Sequence, residues 1–224
     1  LVYLRLMKHG LRASLVIAAL ALGAASAPAG ALAAGSPLAA TPVRLTLERL
    51  FTVGGSGVTV PKRAVILSGT LAHYVHGQRL ELVASVDGHV FLRRMLSLGR
   101  RGGRGHFQTT LLAPRAGHVR VQLRHPRNRH MLSFASSIGY GVLDNRAAPG
   151  ATGRFVELVQ QRLRALHLYI PQTGVFDQGT ELALDAYHRL LGRGEGHMTL
   201  DPVTVTDLLN GVGSFHVRYP KQGQ

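Results

Sequence analysis

Residues 155–192 read FVELVQQRLRALHLYIPQTGVFDQGTELALDAYHRLLG and hold two amphipathic runs joined by a short link. In the first run, apolar residues recur at spacings of three and four, which places them on one face of a helix. They are Val156, Val159, Leu163 and Leu166. Pro171 and Gly174 follow this run and are residues that end a helix and turn the chain. The stretch therefore predicts a helical hairpin.

Two aspartates predict the starts of a second and a third helix. Asp177 precedes the second run, where its carboxylate can accept hydrogen bonds from backbone N–H groups two or three residues on. Asp201 is followed by Pro202, and proline is favoured at the first position of a helix. Both starts read Asp-x-x-Thr, a faint internal repeat that indicates a compact three-helix unit ending at Gly211.

Three motifs carry a resemblance to a known family. They are V-x-x-V-Q-x-x-L-x-x-L at 156–166, Y-I-P-x-T-G-x-F-D-x-x-T at 169–180 and A-x-x-A-Y at 183–187. Residues 155–210 on this basis resemble the peptidoglycan-binding-like three-helix domain. His167 departs from the family pattern, which commonly has a glycine there, and Tyr187-His188 replaces Phe-Gln. The resemblance implies a helical domain that binds peptidoglycan non-covalently.

The expected ligand contacts lie around the turn after the first helix. Glycan strands and stem peptides offer hydroxyls, amides and carboxylates to a shallow groove. The exposed polar and aromatic surface nearest the turn predicts contacts from Tyr169, Gln172, Thr173 and Gly174. Arg162 or Arg164 can pair a peptide carboxylate through its forked donors. Phe176 and Asp177 are expected to pack and to cap instead.

The residues before this stretch alternate apolar and polar positions. Seven such runs, separated by turn residues, are typical of an antiparallel sandwich. The period directs Val119, Val121 and Leu123 inward, and it directs Arg120, Gln122 and Arg124 outward. The strand rhythm and PRAGHVRVQL at 114–123 resemble the immunoglobulin-like modules that precede wall-binding domains in exported actinobacterial proteins.

The sequence therefore predicts a multidomain chain, an all-β immunoglobulin-like sandwich followed by a small all-α three-helix domain. A Pro/Gly-containing linker separates the two, as expected at a domain boundary. The predicted segments are a signal peptide at 1–33, a disordered leader exit at 34–42, the sandwich at 43–143, the linker at 144–153, the helical domain at 154–211 and a strand-like tail at 212–224.

The formal net charge of +15 belongs mainly to the middle of the chain. Residues 34–150 carry 16 Lys/Arg against 4 Asp/Glu, whereas residues 151–224 carry seven of each. Three basic clusters stand out, at 93–94, 100–104 and 124–130. They either bind anionic wall polymers, because clustered positive charge concentrates polyanions, or they only solubilise the protein. Nucleic acid is an unlikely partner, because no aromatic residue is interleaved with the clusters to stack bases.

No constellation of catalytic residues is visible. The chain has no cysteine, which excludes disulfides, thiolate ligands and a cysteine nucleophile. The twelve histidines lack the tight spacing and neighbouring carboxylates of zinc sites. Glu157, Glu181 and Asp185 give no facing carboxylate pair of the kind that glycosidases use. We therefore expect no enzyme activity, metal or cofactor, and a monomer.

The two ends of the chain suggest a compartment and a context. Lys8 and Arg12 precede an apolar run at 14–24 and small-residue triplets that end at Ala27 and Ala33, the order found in secretory signal peptides. Residues 215–219 look like the lead-in to an L,D-transpeptidase catalytic domain. The leading hypothesis is an exported wall-associated protein. The alternatives are a non-catalytic or truncated accessory part of a wall-processing enzyme, and a surface protein–protein adaptor.

Overall fold

The computed structural model describes residues 43–127, 133–194 and 199–214. The predicted signal peptide at 1–33, the leader exit at 34–42 and the strand-like segment at 215–219 lie outside these residues. Within the described ranges, no helix is both long and apolar enough to cross a membrane.

Ten strands form two sheets over the first of these ranges and the start of the second. A four-stranded sheet has the order β1-β4-β8-β7, and a six-stranded sheet has the order β2-β3-β10-β9-β5-β6. Every pairing is antiparallel except that of β10 with β3. The strands are β1 Val43–Glu48, β2 Phe51–Val53, β3 Ser56–Thr59, β4 Ala64–Leu71, β5 Arg79–Val86, β6 His89–Ser97, β7 Gly99–Arg101, β8 Arg104–Leu112, β9 Gly117–His125 and β10 Phe134–Val142. This architecture is compatible with an immunoglobulin-like β fold.

The inner faces of the two sheets share one apolar core. The four-stranded sheet contributes Leu67, Leu71 and Leu111, and the six-stranded sheet contributes Leu82 and Val121, all fully buried. Along β4, β8 and β9 the buried residues alternate with exposed or half-buried ones, the pattern of a sheet with one wet face. In β5, Leu82, Val83 and Ala84 are buried in succession. The predicted inward and outward residues of β9 are confirmed.

The alternation of apolar and polar residues does not predict three of the strands, which are short. They are β2, β3 and β7, with three, four and three residues. Segments of this length carry too few residues for a period of two to register. Gly54 and Gly55, which the sequence marks as a break, form the turn of the β2–β3 hairpin.

Three helices follow the strands at the places that the sequence predicts. They are α1 Arg154–Ala165, α2 Gln178–Leu190 and α3 Pro202–Asn210. The predicted caps are confirmed, because Asp177 accepts from the N–H of Thr180, and Asp201 from those of Val203 and Thr204. Gly211 ends α3 with a φ of 75°, a left-handed conformation that glycine adopts readily.

The prediction of a separate all-α domain is wrong. One buried cluster contains residues of both parts of the chain. Val53 and Val58 of the β2–β3 hairpin and Val60 just after it lie there with Leu158, Leu163 and Leu184 of the helices. The described residues all belong to one compact unit. Helices of 12, 13 and 9 residues leave apolar surface to cover, and the β2–β3 hairpin covers it. The protein is a predominantly β structure with a helical layer.

Polar bonds join α1 to the hairpin as well. Arg154 Nη2 donates to the carbonyl of Val53 at 2.8 Å, and Gln161 Nε2 donates to the carbonyl of Thr52 at 3.2 Å. These carbonyls belong to β2, the outer strand of the hairpin. The side chains of α1 supply donors to them, and a buried carbonyl without a donor is costly. The helical layer and the six-stranded sheet are thus interdependent.

Candidate anion-binding site

Two of the predicted ligand residues are engaged in a buried network around Gln160. Its side chain is fully buried, and its Nε2 donates to Thr173 Oγ1, Thr180 Oγ1 and the carbonyl of Val175. Its Oε1 accepts from the N–H of Gly174 at 2.9 Å. Thr173 and Gly174 therefore hold the turn against α1.

Arg162 also makes structural contacts. Its Nε donates to the carbonyl of Leu208 at 3.3 Å, near the C-terminus of α3. A cation there complements the negative end of the helix dipole. Its guanidinium also lies 5.6 Å from the ring centroid of Phe51 on β2. Arg162 thus links α1, α3 and the hairpin.

The other three predicted residues have exposed side chains. Tyr169 is fully exposed, and Arg164 and Gln172 are exposed too. Within the described ranges, no hydrogen bond joins these three side chains to one another or to the Gln160 network. The structure therefore does not bring the six predicted residues into one site.

Among the basic clusters, the one at 93–94 has partners. Arg93 forms an ion pair with Glu81 at 2.8 Å, and Arg94 donates to Thr109 Oγ1. Part of the cluster at 124–130 lies outside the described residues, and its Arg124 donates to Gln122 Oε1 at 2.9 Å. Arg93, Arg94 and Arg124 thus each have a side-chain partner within the described residues.

The cluster at 100–104 is different because a tight hairpin sets two arginines opposite each other. Arg101 of β7 pairs directly with Arg104 of β8. Gly102 and Gly103 between them have φ values of 56° and 77°, the positive pair that a two-residue hairpin turn of type I′ requires. Like charges at directly opposed positions destabilise a sheet. The pairing of Arg101 with Arg104 therefore does not stabilise the fold.

Sheet register adds more residues to the same face. Arg44 of β1 pairs with Thr70 of β4, and Thr70 pairs with His106 of β8. Since directly paired residues share a face and alternate residues do too, Arg104 and Arg101 lie on that face with them. We call Arg44, Thr70, Arg101, Arg104 and His106 the arginine cluster.

A close packing contact fixes β8 against β4 beneath this cluster. Gly69 lies opposite Phe107, and a Cβ at Gly69 would come within 2.1 Å of the Phe107 ring. The ring therefore crosses β4 at the one position without a side chain. This contact positions Thr70 and His106, which are the next residues on each strand.

Two adjoining depressions open on the arginine cluster. One, of about 630 Å³, is lined by Arg44, Thr70 and Arg104 with Val43 and Ala72. The other, of about 540 Å³, is lined by Thr70, Arg101, Arg104 and His106 with Gly102. Thr70 and Arg104 line both depressions, so together they form a continuous open surface rather than an enclosed pocket.

The positive charge of the arginine cluster is not neutralised within the described residues. No ion pair there involves Arg44, Arg101 or Arg104, and their side chains are exposed. Glu48 lies on the same face of β1 but four residues from Arg44, a distance of about 13 Å along a strand. That exceeds the screening length of about 8 Å at physiological salt. The surface can therefore attract an anion.

Sequence reasoning finds only two of the five residues of the arginine cluster. Arg101 and Arg104 stand out as a local run, whereas Arg44 and His106 join them through strand register. The alternation of β1 places Arg44 on an outer face, but which strand lies beside it depends on non-local pairing. No local signal in the sequence supplies that information.

Across the residues that the structure describes, no group of three His, Cys, Asp or Glu side chains could hold a metal ion. The histidines of β8 and β9 are distributed over both sheets. His125 stacks on Phe134 with ring centroids 5.3 Å apart, and His106 belongs to the arginine cluster.

Comparison with known proteins identifies no family. No protein-family model matches the chain, and no curated protein matches it. Among solved structures, the chain is similar to the CARDB domain of a Pyrococcus furiosus protein in complex with di-metal ions, with 11% identity, a TM-score of 0.28, and 45% of this chain and 89% of that chain covered. It is also similar to the sensor domain of the anti-sigma factor RsgI4 of Pseudobacteroides cellulosolvens, with 14% identity, a TM-score of 0.27, and 50% and 100% covered.

The expected membership in the peptidoglycan-binding-like three-helix family is therefore wrong. Its motifs at 156–187 encode helix spacing, an aspartate cap and a glycine turn. In this structure those features build a layer on a β structure, with the β2–β3 hairpin inside the shared core.

Proposed function

We propose that this protein is an exported binding module that attaches non-covalently to anionic polymers of the cell wall through the arginine cluster. The observation that carries the proposal is the convergence of three guanidinium groups and an imidazole on Thr70 with no carboxylate partner in the described residues. Guanidinium forks match phosphate and carboxylate groups in a bidentate manner. The charge, apolar run and small residues at 1–33 support export.

The shape of the surface favours a polymer over a small ligand. Enclosed, mostly apolar pockets are usual for small molecules, whereas here two open depressions adjoin on one sheet face. Successive anionic groups of a chain can meet successive arginines. Such binding also relieves the repulsion between Arg101 and Arg104.

The test measures retention of the full-length exported chain on purified cell walls, before and after chemical removal of their anionic polymers. The variant Arg44→Gln/Arg101→Gln/Arg104→Gln removes three charges from the arginine cluster. The control Arg79→Gln/Arg127→Gln/Arg146→Gln removes three charges from exposed positions elsewhere. Both variants have the same net charge, so a difference between them reports the location and not the total.

We expect the cluster variant to lose about tenfold or more in affinity for untreated walls and the control to lose much less, because clustered charges act together on a polyanion. The slope of log affinity against log salt should fall by roughly 2 to 3 in the cluster variant, as counterion release predicts for three lost contacts. Equal losses in both variants would overturn the proposal.

A second candidate is binding to peptidoglycan itself through the helical layer. It is favoured by Tyr169, which is fully exposed on the loop after α1 although tyrosine usually buries part of its ring. Retention on polymer-stripped walls that Tyr169→Ser abolishes would support this candidate. Retention that only the arginine cluster variant weakens would exclude it.

A further inference from the structure

A second cationic site lies between the sandwich and the helical layer, away from the arginine cluster. A cavity of about 290 Å³ opens between the turn before β4 and helix α3. Lys62, Arg63 and Asn145 line one side, and Thr206, Leu209 and Asn210 line the other. Its lining thus combines two cations, two amides, a hydroxyl and an apolar surface.

Arg63 is the central residue of this cavity. Its guanidinium lies 4.4 Å from the ring centroid of Phe51, and its Nη1 donates to the carbonyl of Arg49 at 2.5 Å. Its Nε is buried and has no acceptor among the described residues. A buried donor without an acceptor is costly. Arg63 also lines the cavity, so its guanidinium is the charged group that an entering anion would meet.

The charges that act most strongly on Arg63 are those of other cations. Burial lowers the pKa of Arg63, and the neighbouring charges of Arg162 and Arg49 lower it further. No carboxylate within the described ranges pairs with Arg49, Lys62, Arg63 or Arg162. Asp144, next to Asn145, is exposed.

Two of these cations also occupy an unusual backbone conformation. Arg49 has a φ of 67° and Lys62 a φ of 62°, in the left-handed region that residues other than glycine and asparagine rarely adopt. The N–H of Lys62 donates to the carbonyl of Ala113 at 2.8 Å, which holds the turn. Strained residues of this kind concentrate at ligand sites.

We propose that this cavity binds a small carboxylate of about the size of one C-terminal amino-acid residue. The carboxylate accepts from the guanidinium of Arg63 and is attracted by Lys62, a charge-assisted contact. Asn145 and Asn210 can bond the amide that precedes the carboxylate, and Val60 with Leu209 can cover a short apolar side chain. The volume lies near the lower end of the roughly 300–1,000 Å³ of ligand pockets. This inference does not depend on the proposed function.

The test titrates the full chain, labelled with nitrogen-15, with N-acetylalanine and separately with the neutral N-acetylalaninamide. The reporter is the Nε–H resonance of Arg63, identified by its loss in Arg63→Lys. We expect a saturable shift with the carboxylate, at a Kd on the order of 1 mM, and no saturable shift with the amide. Equal responses to the two compounds, or no shift of the Arg63 resonance, would overturn the inference.

Lys62→Asn separates binding from folding. Asparagine tolerates a positive φ, so this variant removes the charge while the turn keeps its conformation and the thermal midpoint holds or rises. We expect it to weaken N-acetylalanine binding about threefold, in line with a partly exposed ion pair. Arg63→Gln should weaken it further; because this variant lacks the Arg63 reporter, its binding is followed through the backbone N–H resonance of Lys62. Arg79→Gln is the control and should bind as the natural chain does. Unchanged binding in Lys62→Asn and Arg63→Gln together would rule the site out.

Discussion

The turn of the helical layer and the arginine cluster are both rich in polar side chains, but they use them differently. Around Gln160, the hydroxyls of Thr173 and Thr180 and the N–H of Gly174 lie at hydrogen-bonding distance from its side-chain amide. Around Thr70, three guanidinium groups lie on one face with no anion beside them in the described residues. The first arrangement is what stability requires of buried polar groups. The second stabilises nothing that the structure contains.

The difference separates residues that hold the fold from residues that are available to a ligand. Polarity and exposure on a predicted loop do not make that distinction, because Thr173 is both polar and exposed and is nevertheless hydrogen-bonded to Gln160. An uncompensated charge does make it, since the sheet would be more stable without the opposed Arg101 and Arg104. The predictions below test each half of this comparison, in order of decreasing effect on stability.

The largest effect is expected from Gln160→Leu. Leucine fills a similar volume but leaves the N–H of Gly174 and the hydroxyls of Thr173 and Thr180 without their buried partner. Loss of a buried network of this kind costs roughly 2–4 kcal/mol in the free energy of unfolding. Urea unfolding followed by circular dichroism measures it.

Gln161→Leu provides the matched control. The residue is adjacent and of the same type, yet it is only half-buried and makes one bond, to the carbonyl of Thr52. We expect a loss of about 1 kcal/mol or less. If the two variants lose the same amount, the Gln160 network is not what holds the turn, and the comparison with the arginine cluster fails.

The second prediction concerns the repeated caps. Asp177→Ala and Asp201→Ala should each cost about 1 kcal/mol, the usual value for loss of an N-cap. The hydroxyls of Thr180 and Thr204 donate to the same carboxylates, so each cap is a matched pair. Chemical denaturation of the two single variants and the double variant measures the losses. A loss from one cap alone would show that the two caps do not stabilise their helices equally.

These caps also show how much of the helical layer can be predicted from the sequence. Asp177, Asp201 and Gly211 act through groups two to four residues away, so sequence alone places them correctly. The layer's position is a different matter, because it depends on the β2–β3 hairpin, which lies about a hundred residues earlier. Val53 and Val58 show no sign in the sequence that they will meet α1. Local rules therefore predict the helices but not the core that they share.

The same limit applies to the candidate site. Turn chemistry at Gly102 and Gly103 predicts that Arg101 and Arg104 are neighbours. The approach of Arg44 requires β1 to pair with β4 and β4 with β8, which alternation does not specify. The six predicted ligand residues lie close together in sequence, but packing does not bring them into one site.

The third prediction is a dependence of stability on acid pH. The N–H and then the hydroxyl of Thr180 lower the pKa of Asp177, and the hydroxyl and then the N–H of Thr204 lower the pKa of Asp201. The folded state therefore binds these protons less tightly than the unfolded state. Their contribution is complete above the unfolded carboxyl range, near pH 4, and is lost as the pH falls through the lower folded values.

Urea unfolding between about pH 5 and pH 2.5 measures this loss. In Asp177→Asn/Asp201→Asn, asparagine still caps the helices but no longer titrates. We expect the double variant to show a smaller fall in stability over this range than the natural chain. Parallel curves for the two proteins would mean that the caps do not hold their carboxylates ionised.

The smallest effect is expected where the ligand hypothesis is strongest. Arg44→Gln/Arg101→Gln/Arg104→Gln should change the free energy of unfolding by less than about 0.5 kcal/mol, as surface changes without a structural partner do. The sign should be stabilising at low salt, because the opposed Arg101 and Arg104 no longer repel each other, and the gain should vanish at high salt. Arg79→Gln/Arg127→Gln/Arg146→Gln should give no such gain, since these positions are not opposed.

A destabilisation above 1 kcal/mol in the arginine cluster variant would mean that these arginines are structural, and it would remove the contrast with Gln160. A small gain in stability together with a large loss of wall retention is the combination that only a ligand-binding role for the arginine cluster produces.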